Sequence, residues 1–210
     1  MAMTRRPGCL CDNHLIMRDD TAPQTPVTDT SGPDAADPSG ERFGAASAGD
    51  LGPLTRRIVD LLASEGVAHR LLRHPPVLTS EEASRVRGTP LEAGAKALVC
   101  QADDRIVLIV VPADTRLDNR AFRQQAGVKN VRMIDPERIM ELVGAPVGAV
   151  PPFGSLFGLP TFADHEVVGR DLIAFNVGAR DVSVTMAGPD YAALEQPTLG
   201  RFARRVEAAG

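Results

Sequence analysis

The chain has 210 residues, of which 43% are hydrophobic and only 4% aromatic. This length suits one domain plus additional sequence, and the core must consist mainly of Val, Leu, Ile and Ala because Trp is absent. A net charge of -4 argues against a protein that coats DNA or other nucleic acids by bulk electrostatics, although a local basic patch remains compatible with it.

Residues 1–50 are rich in Pro, Asp, Ser, Thr, Gly and Ala and lack hydrophobic periodicity, which predicts a disordered tail before a folded domain at 51–210. In this tail Cys9, Cys11 and His14 have no fourth ligand nearby, so we predict no metal site. The three cysteines, Cys9, Cys11 and Cys100, are too few for a disulfide framework. No signal-peptide pattern or long apolar run is present, so we expect a cytoplasmic protein without membrane association.

Hydrophobic spacing predicts both helices and strands along the folded part. Helices are expected at 55–65, from Thr79 or Ser80 to Val86, and at 119–126, 137–143 and 191–194, the last extending toward Val206. Strands are expected at 67–73, 94–100, 106–111, 131–134, 159–163, 167–168, 172–177 and 182–186, with a polar turn at 112–118. Strands outnumber helices without a regular repeat, so we predict an α+β fold with a mixed, largely antiparallel sheet and flanking helices.

Lys96 interrupts the apolar run 94–100, which is expected to form a hairpin with 106–111 at the middle of the sheet. Alternation of side chains places Lys96 on one face with Leu98 and Cys100. A cation beside buried strands costs on the order of several kcal/mol unless it reaches water or meets an anion. Lys96 therefore either extends to solvent at the strand end or serves as an anion-binding or catalytic residue.

Three further groups of polar or glycine residues accompany apolar strands. They are the loop 148–152, the set Asn176, Gly178 and Arg180 at a strand end, and the set His74, Thr79 and Ser80 before a helix. Each has a plainer interpretation, namely an ordinary turn, a left-handed Asn176 or a surface His74. Asp164 and His165 adjoin in the sequence, and neighbours on a strand face opposite ways, so no dyad is expected. No Ser-His-Asp arrangement, phosphate-binding loop or metal-ligand spacing is visible.

The order and spacing of these segments are more specific than any one of them. The runs HPPVLTSEEA, GAKALVC, LIVVPADTRLD, GAPVGAVPPFG, LPTFADHEV and FNVGARDVSV resemble the YbaK/ProX family of aminoacyl-tRNA deacylases, whose domain is also inserted in bacterial prolyl-tRNA synthetases. The resemblance spans roughly residues 54–195. It implies a single α+β domain that hydrolyses the ester between a wrongly attached amino acid and the 3′ end of tRNA, without a metal or organic cofactor. The implied partners are mischarged tRNA and an aminoacyl-tRNA synthetase or elongation factor.

By the same resemblance, Lys96 is the main functional residue and loop 148–152 positions the aminoacyl group and the terminal adenosine. We expect the N–H groups of Gly148 and Ala149 to face the oxyanion that develops during hydrolysis. The remaining candidates for substrate binding are His74, Thr79, Ser80, Ala149, Pro152, Asn176, Gly178 and Ser183.

Two positions depart from some relatives, which have a serine at Asn176 and an aspartate at Ser183, so their amino-acid preference cannot be transferred. The small and polar candidates favour a substrate side chain such as Ser, Thr or Ala. Two alternatives stay open, a non-catalytic module that binds an aminoacyl group or tRNA end and a hydrolase of another small ester or amide.

Overall fold

The computed structural model describes residues 51–205. The helices are α1 (Pro53–Ser64), α2 (Ser80–Arg87), α3 (Asn119–Ala126), α4 (Pro136–Val143), α5 (His165–Val168) and α6 (Gly188–Glu195). The strands are β1 (His69–Arg73), β2 (Ala95–Ala102), β3 (Arg105–Pro112), β4 (Thr115–Leu117), β5 (Val131–Met133), β6 (Thr161–Asp164), β7 (Ile173–Asn176), β8 (Val182–Met186), β9 (Thr198–Gly200) and β10 (Ala203–Arg205). In this part of the chain, every helix is too short or too polar to span a bilayer.

The strands form a five-stranded mixed sheet, a three-stranded antiparallel sheet and a two-stranded ribbon. The five-stranded sheet has the order β5-β2-β3-β6-β9, with the antiparallel β2–β3 hairpin at its centre and β6 and β9 added in parallel. The three-stranded sheet has the order β1-β8-β7, and β4 pairs with β10. The predicted α+β class and central hairpin are confirmed, but the strands are divided among these sheets instead of forming one.

Both faces of the hairpin are buried, as the apolar residues on both faces of its two strands predict. On one face Cys100 packs with Ile109 and Phe122, while on the other Val99 packs in a cluster with Leu108 and Phe175. Buried aliphatic side chains contribute about 1.5–3 kcal/mol each, so this two-sided packing makes β2 a firm support for Lys96, its second residue.

The two larger sheets meet where Gly94 forms a parallel bridge with Ala174. On its other side Gly94 contacts the segment after β3, where an added Cβ atom would lie 2.5 Å from the Cβ of Ala113, so only glycine fits there. Two residues further along each segment come Lys96 and Asn176. The bridge therefore places the beginning of β2 beside the end of β7.

Residues 167–168, predicted as a strand, belong instead to the single-turn helix α5. Asp164 causes this difference, because its side chain accepts a 2.9 Å hydrogen bond from the Glu166 N–H and so caps the turn. The other oxygen of Asp164 accepts from the N–H groups of Phe202 and Ala203 at 2.6 and 2.8 Å. Asp164 is thus a buried structural residue.

The last helix was expected to extend toward Val206, but it ends at Glu195. Gln196 has a left-handed backbone with φ of 51°, and the following residues pair as β9 with β6 and as β10 with β4. The same pairing turns residues 115–117, predicted as part of a polar turn, into β4. These short strands depend on partners far away in sequence, so their local pattern does not reveal them.

Candidate active site

A cavity of about 230 Å3 lies between α2, the beginning of β2, the end of β7 and the loop 147–150. Most of its wall is apolar. The polar, charged and glycine positions that line it are Thr79, Ser80, Arg87, Gly94, Lys96, Gly148 and Asn176. Five of the sequence-predicted site residues therefore come together, namely Lys96, Gly148, Thr79, Ser80 and Asn176.

Lys96 is partly buried, and its ammonium group is held by the turn that follows β3. Nζ donates to the carbonyl oxygen of Ala113 at 3.2 Å and also to that of Thr115. Burial lowers the pKa of Lys96 below its usual value, while the charges of Asp114 and Glu81 oppose this shift. With two of its three N–H donors committed to main-chain oxygens, the ammonium has one donor left for a ligand in the cavity.

The loop beside Lys96 owes its shape to Gly148, whose φ of +85° lies in the region that favours glycine. The loop is also held by Arg180, which donates to the Val147 carbonyl oxygen at 3.2 and 2.9 Å. Ala149 N–H donates to the Pro146 carbonyl oxygen at 2.9 Å, so the expectation that this group faces an oxyanion is wrong. The Gly148 N–H makes no hydrogen bond within residues 51–205 and remains available.

Asn176 and Ser183 are directly opposite each other in the β7–β8 pair, which puts both side chains on the same face of the sheet. Ser183 is fully buried and Asn176 is 8% exposed. Arg87, from the last turn of α2, reaches both of them, with Nη2 at 2.6 Å from Asn176 Oδ1 and Nε at 2.8 Å from Ser183 Oγ. Asn176 Nδ2 in turn donates to the Gly148 carbonyl oxygen at 2.7 Å.

His74 extends this network away from the cavity. Its Nδ1 lies 2.9 Å from the Pro75 carbonyl oxygen, which can only accept, so Nδ1 carries the hydrogen. Burial lowers the pKa of His74 below its usual value, with a further lowering from the charge of Arg87 that the Pro75 bond and Asp181 oppose. In the neutral ring Nε2 then accepts from the Ser183 hydroxyl, 2.6 Å away. His74 therefore orients Ser183 and does not touch the cavity.

Thr79 and Ser80 line the cavity at the beginning of α2. Thr79 is the N-cap of this helix, since its Oγ1 accepts from the Glu82 N–H at 3.1 Å, and the Glu82 carboxylate accepts from the Thr79 N–H at 3.2 Å. This reciprocal capping box fixes the Thr79 hydroxyl oxygen. The hydroxyl hydrogen is left free to be donated into the cavity.

Several predicted site residues lie behind the cavity wall. Ser183 and His74 orient polar groups through their mutual hydrogen bond. The carbonyl oxygen of Ala149 accepts from the Gly178 N–H at 2.9 Å, and that of Pro152 accepts from the Tyr191 hydroxyl at 2.9 Å. Gly178 has a φ of +93°, and a Cβ atom added to it would lie 3.2 Å from the side chain of Leu54 in α1. These five residues hold the loop and the sheet in place and do not line the cavity.

Arg87 is the functional candidate that sequence reasoning missed. Its neighbour on the helix, Arg85, is exposed, and composition does not distinguish the two. The signal lay in helical spacing, because Ser80, Ala83 and Arg87 fall on one face of α2 and all three line the cavity.

The cavity carries two cations and no carboxylate, because its lining contains Arg87 and Lys96 but no Asp or Glu. It also contains no His or Cys, and residues 51–205 include no group of three or more potential metal ligands close together. Cys9, Cys11 and His14 lie outside the described residues. The arrangement suits a ligand with several oxygen acceptors and a small apolar part.

Comparison with known proteins gives consistent matches. The profile described as "Aminoacyl-tRNA editing domain" matches residues 74–194. Over 154 residues the chain is 36% identical to the Multifunctional Ser/Thr-tRNA deacylase ProXp-y of Escherichia coli K12, covering 71% of this chain and 92% of that protein. It is 28% identical over 92 residues to the proline--tRNA ligase of Listeria monocytogenes, covering 44% of this chain and 16% of that enzyme. A crystal structure of a candidate trans-editing enzyme for prolyl-tRNA synthetase superposes with a TM-score of 0.66 at 24% identity, covering 74% of this chain and 99% of that one.

Proposed function

Because this chain belongs to the family of aminoacyl-tRNA editing domains, we propose that it removes a small amino acid such as Ser, Thr or Ala from mischarged tRNA, with Lys96 holding the tRNA 3′ end. The observation that carries the proposal is that Lys96 and Gly148 line one cavity. A lysine pointing into bulk water, away from this loop, would instead favour a non-catalytic binding module.

The reaction is hydrolysis of the ester between the amino acid carboxyl carbon and a ribose oxygen of the terminal adenosine. Water adds to the carbonyl carbon, the bond to the ribose oxygen breaks, and this oxygen takes up a proton. The products are the free amino acid and a tRNA with a free hydroxyl. Because the ester is already activated, the protein supplies mainly positioning and charge stabilisation.

Lys96 is suited to hold an oxygen-rich part of the substrate. Its two main-chain acceptors fix the direction of the ammonium, and the third N–H is free for a phosphate or ribose oxygen of the 3′ end. The Gly148 N–H has no hydrogen-bond partner among residues 51–205, and we assign it to the oxyanion that develops on the ester carbonyl. Gly148 and Lys96 thus act on neighbouring parts of one substrate.

The attacking group is water or a substrate hydroxyl, since the lining offers no activated protein nucleophile. Thr79 and Ser80 have hydroxyl groups, but neither has a His, Asp or Glu base beside it in the cavity. Both ring nitrogens of His74 are already hydrogen-bonded, Nδ1 to the Pro75 carbonyl oxygen and Nε2 to the Ser183 hydroxyl.

Partnership with an aminoacyl-tRNA synthetase or an elongation factor stays a prediction. The domain boundary at residue 51 also stays a prediction, because residues 1–50 lie outside those described.

The test compares two lysine variants of the full chain on mischarged tRNA. Lys96→Ala is expected to lower kcat/KM for deacylation by about 100-fold or more, the size of effect seen when one charge-stabilising donor is removed. The matched control is Lys129→Ala, because Lys129 is the only other lysine in the sequence and is exposed away from the cavity.

Equal activity of Lys96→Ala and the wild type would reject the role of Lys96. Tight binding of mischarged tRNA by the wild type without any release of amino acid would favour the non-catalytic module. Hydrolysis of free aminoacyl esters as fast as of charged tRNA would favour a hydrolase of other small esters.

A further inference from the structure

Resting on this proposed function, we propose that Arg87 is the specificity-determining residue, which recognises the hydroxyl oxygen of the substrate side chain and so selects Ser and Thr over Ala. Arg87 lies in the part of the cavity wall that α2 forms with the end of β7.

Arg87 is held in a fixed orientation by two buried acceptors. Nε donates to Ser183 Oγ and Nη2 donates to Asn176 Oδ1. Both acceptors are themselves fixed, because the Ser183 hydroxyl is bound by His74 and the Asn176 amide by the Gly148 carbonyl. A guanidinium with two anchored N–H groups loses little further freedom when it binds a ligand, which favours precise recognition.

Three of the five guanidinium N–H groups remain without an acceptor in the part of the chain that the structure describes. No carboxylate forms an ion pair with Arg87 there, and burial lowers its pKa to about 10, which keeps it charged at neutral pH. Guanidinium donors without a protein acceptor at the wall of a cavity favour a ligand that brings an oxygen. Arginine has no acceptor, so it distinguishes an oxygen from a methyl group or an ammonium.

The position of Arg87 points to the amino acid and not to the tRNA backbone. Its anchors belong to β7 and β8, strands in which every residue is buried, and Ser183 is fully enclosed. Lys96 is instead fixed to the turn after β3 in the other sheet. The two cations therefore hold different ends of the ligand, with Lys96 serving the 3′ end and Arg87 the side chain.

The expected discrimination follows from what each substrate offers. A serine or threonine hydroxyl satisfies a donor of Arg87, whereas alanine leaves that donor unpaired in a site from which water has been displaced. Sites built to hydrogen-bond a substrate hydroxyl reject analogues that lack it far more strongly than apolar pockets reject a missing methylene. We expect at least a tenfold preference for the hydroxyl.

The first experiment uses the wild-type full chain and one tRNA charged with serine, threonine, alanine or 2-aminobutyrate. The last of these matches serine in shape but has a methyl group in place of the hydroxyl. The kcat/KM for seryl-tRNA should exceed that for 2-aminobutyryl-tRNA at least tenfold. Equal values would overturn the role of Arg87 and leave the proposed function intact, whereas no hydrolysis of any of the four would overturn the proposed function and this inference together.

The second experiment repeats the comparison with Arg87→Met, Arg87→Lys and the control Arg85→Met, which changes an exposed arginine on the same helix. The ratio of kcat/KM for seryl over 2-aminobutyryl substrate should fall at least tenfold in Arg87→Met and less in Arg87→Lys, and should keep its wild-type value in Arg85→Met. If Arg87 had a purely structural role, or contacted a part shared by all charged tRNAs, Arg87→Met would lower kcat/KM equally for both substrates and leave the ratio unchanged. That outcome would overturn the proposal.

Discussion

The side-chain amide nitrogen of Asn176 donates a 2.7 Å hydrogen bond to the main-chain oxygen of Gly148. This contact ties the end of β7 to the loop that forms one wall of the cavity. The oxygen of the same amide accepts from Arg87, so Asn176 fixes the loop and the arginine relative to each other.

Asn176→Ala and Asn176→Asp both remove the donor to Gly148, but the aspartate keeps an acceptor for Arg87. If the tether to the loop matters, both variants should lose deacylase activity, by about tenfold or more, because the Gly148 N–H is no longer held in place. Steady-state kinetics on mischarged tRNA measures this, with Asn119→Ala as the control at an exposed asparagine. Full activity of Asn176→Asp would show that only the contact with Arg87 is needed.

Gly178→Ala tests whether this glycine is structural. Its φ is +93°, and an added Cβ would meet Leu54 of α1 at 3.2 Å. Gly66 has a φ of +65° with open space beside it, so Gly66→Ala should lower the free energy of unfolding only by the backbone strain, about 1–2 kcal/mol. Urea unfolding should show a larger loss for Gly178→Ala, and equal losses would mean that Leu54 moves aside.

The capping box of α2 gives a prediction about stability. Thr79→Ala removes the side-chain acceptor for the Glu82 N–H and should lower the free energy of unfolding by about 1 kcal/mol. Asp135 is the N-cap residue of α4 but makes no side-chain capping hydrogen bond, so Asp135→Ala should lower the free energy of unfolding by less than Thr79→Ala does. Thermal unfolding of both variants checks the order, and the reverse order would contradict the role of the capping box.

The pH dependence of stability should report the burial of His74. Its pKa is lowered in the folded state, so its contribution is fully present above the pKa of the unfolded chain, near 6.5. As the pH falls below about 6.5, the unfolded chain binds a proton that the folded protein does not, and the free energy of unfolding decreases.

Urea unfolding of the wild type and His74→Gln between about pH 7.5 and 5.5 measures this effect. The variant should show a weaker decrease than the wild type, and His165→Gln, at an exposed histidine, is the matched substitution for comparison. Identical slopes for the wild type and His74→Gln would contradict the prediction.

The sequence by itself determined the family, the α+β class and the elements whose signals are local. The family resemblance is confirmed by the matches to editing domains, and the hairpin of β2 and β3 is where the two apolar runs predict it. The cap at Thr79 and the loop at Gly148 were also predictable, because capping and positive-φ geometry depend on a few neighbouring residues.

Only the tertiary structure decided which polar residues share the cavity. Ser183 was a candidate for substrate contact and lies behind the wall, whereas Arg87 was not a candidate and lies in it. The reason is physical: the direction of a hydrogen bond between α2 and the β7–β8 pair depends on how two distant segments pack. The short strands β9 and β10 and the turn α5 escaped prediction for the same reason, since Asp164 and partner strands far along the chain fix their conformation.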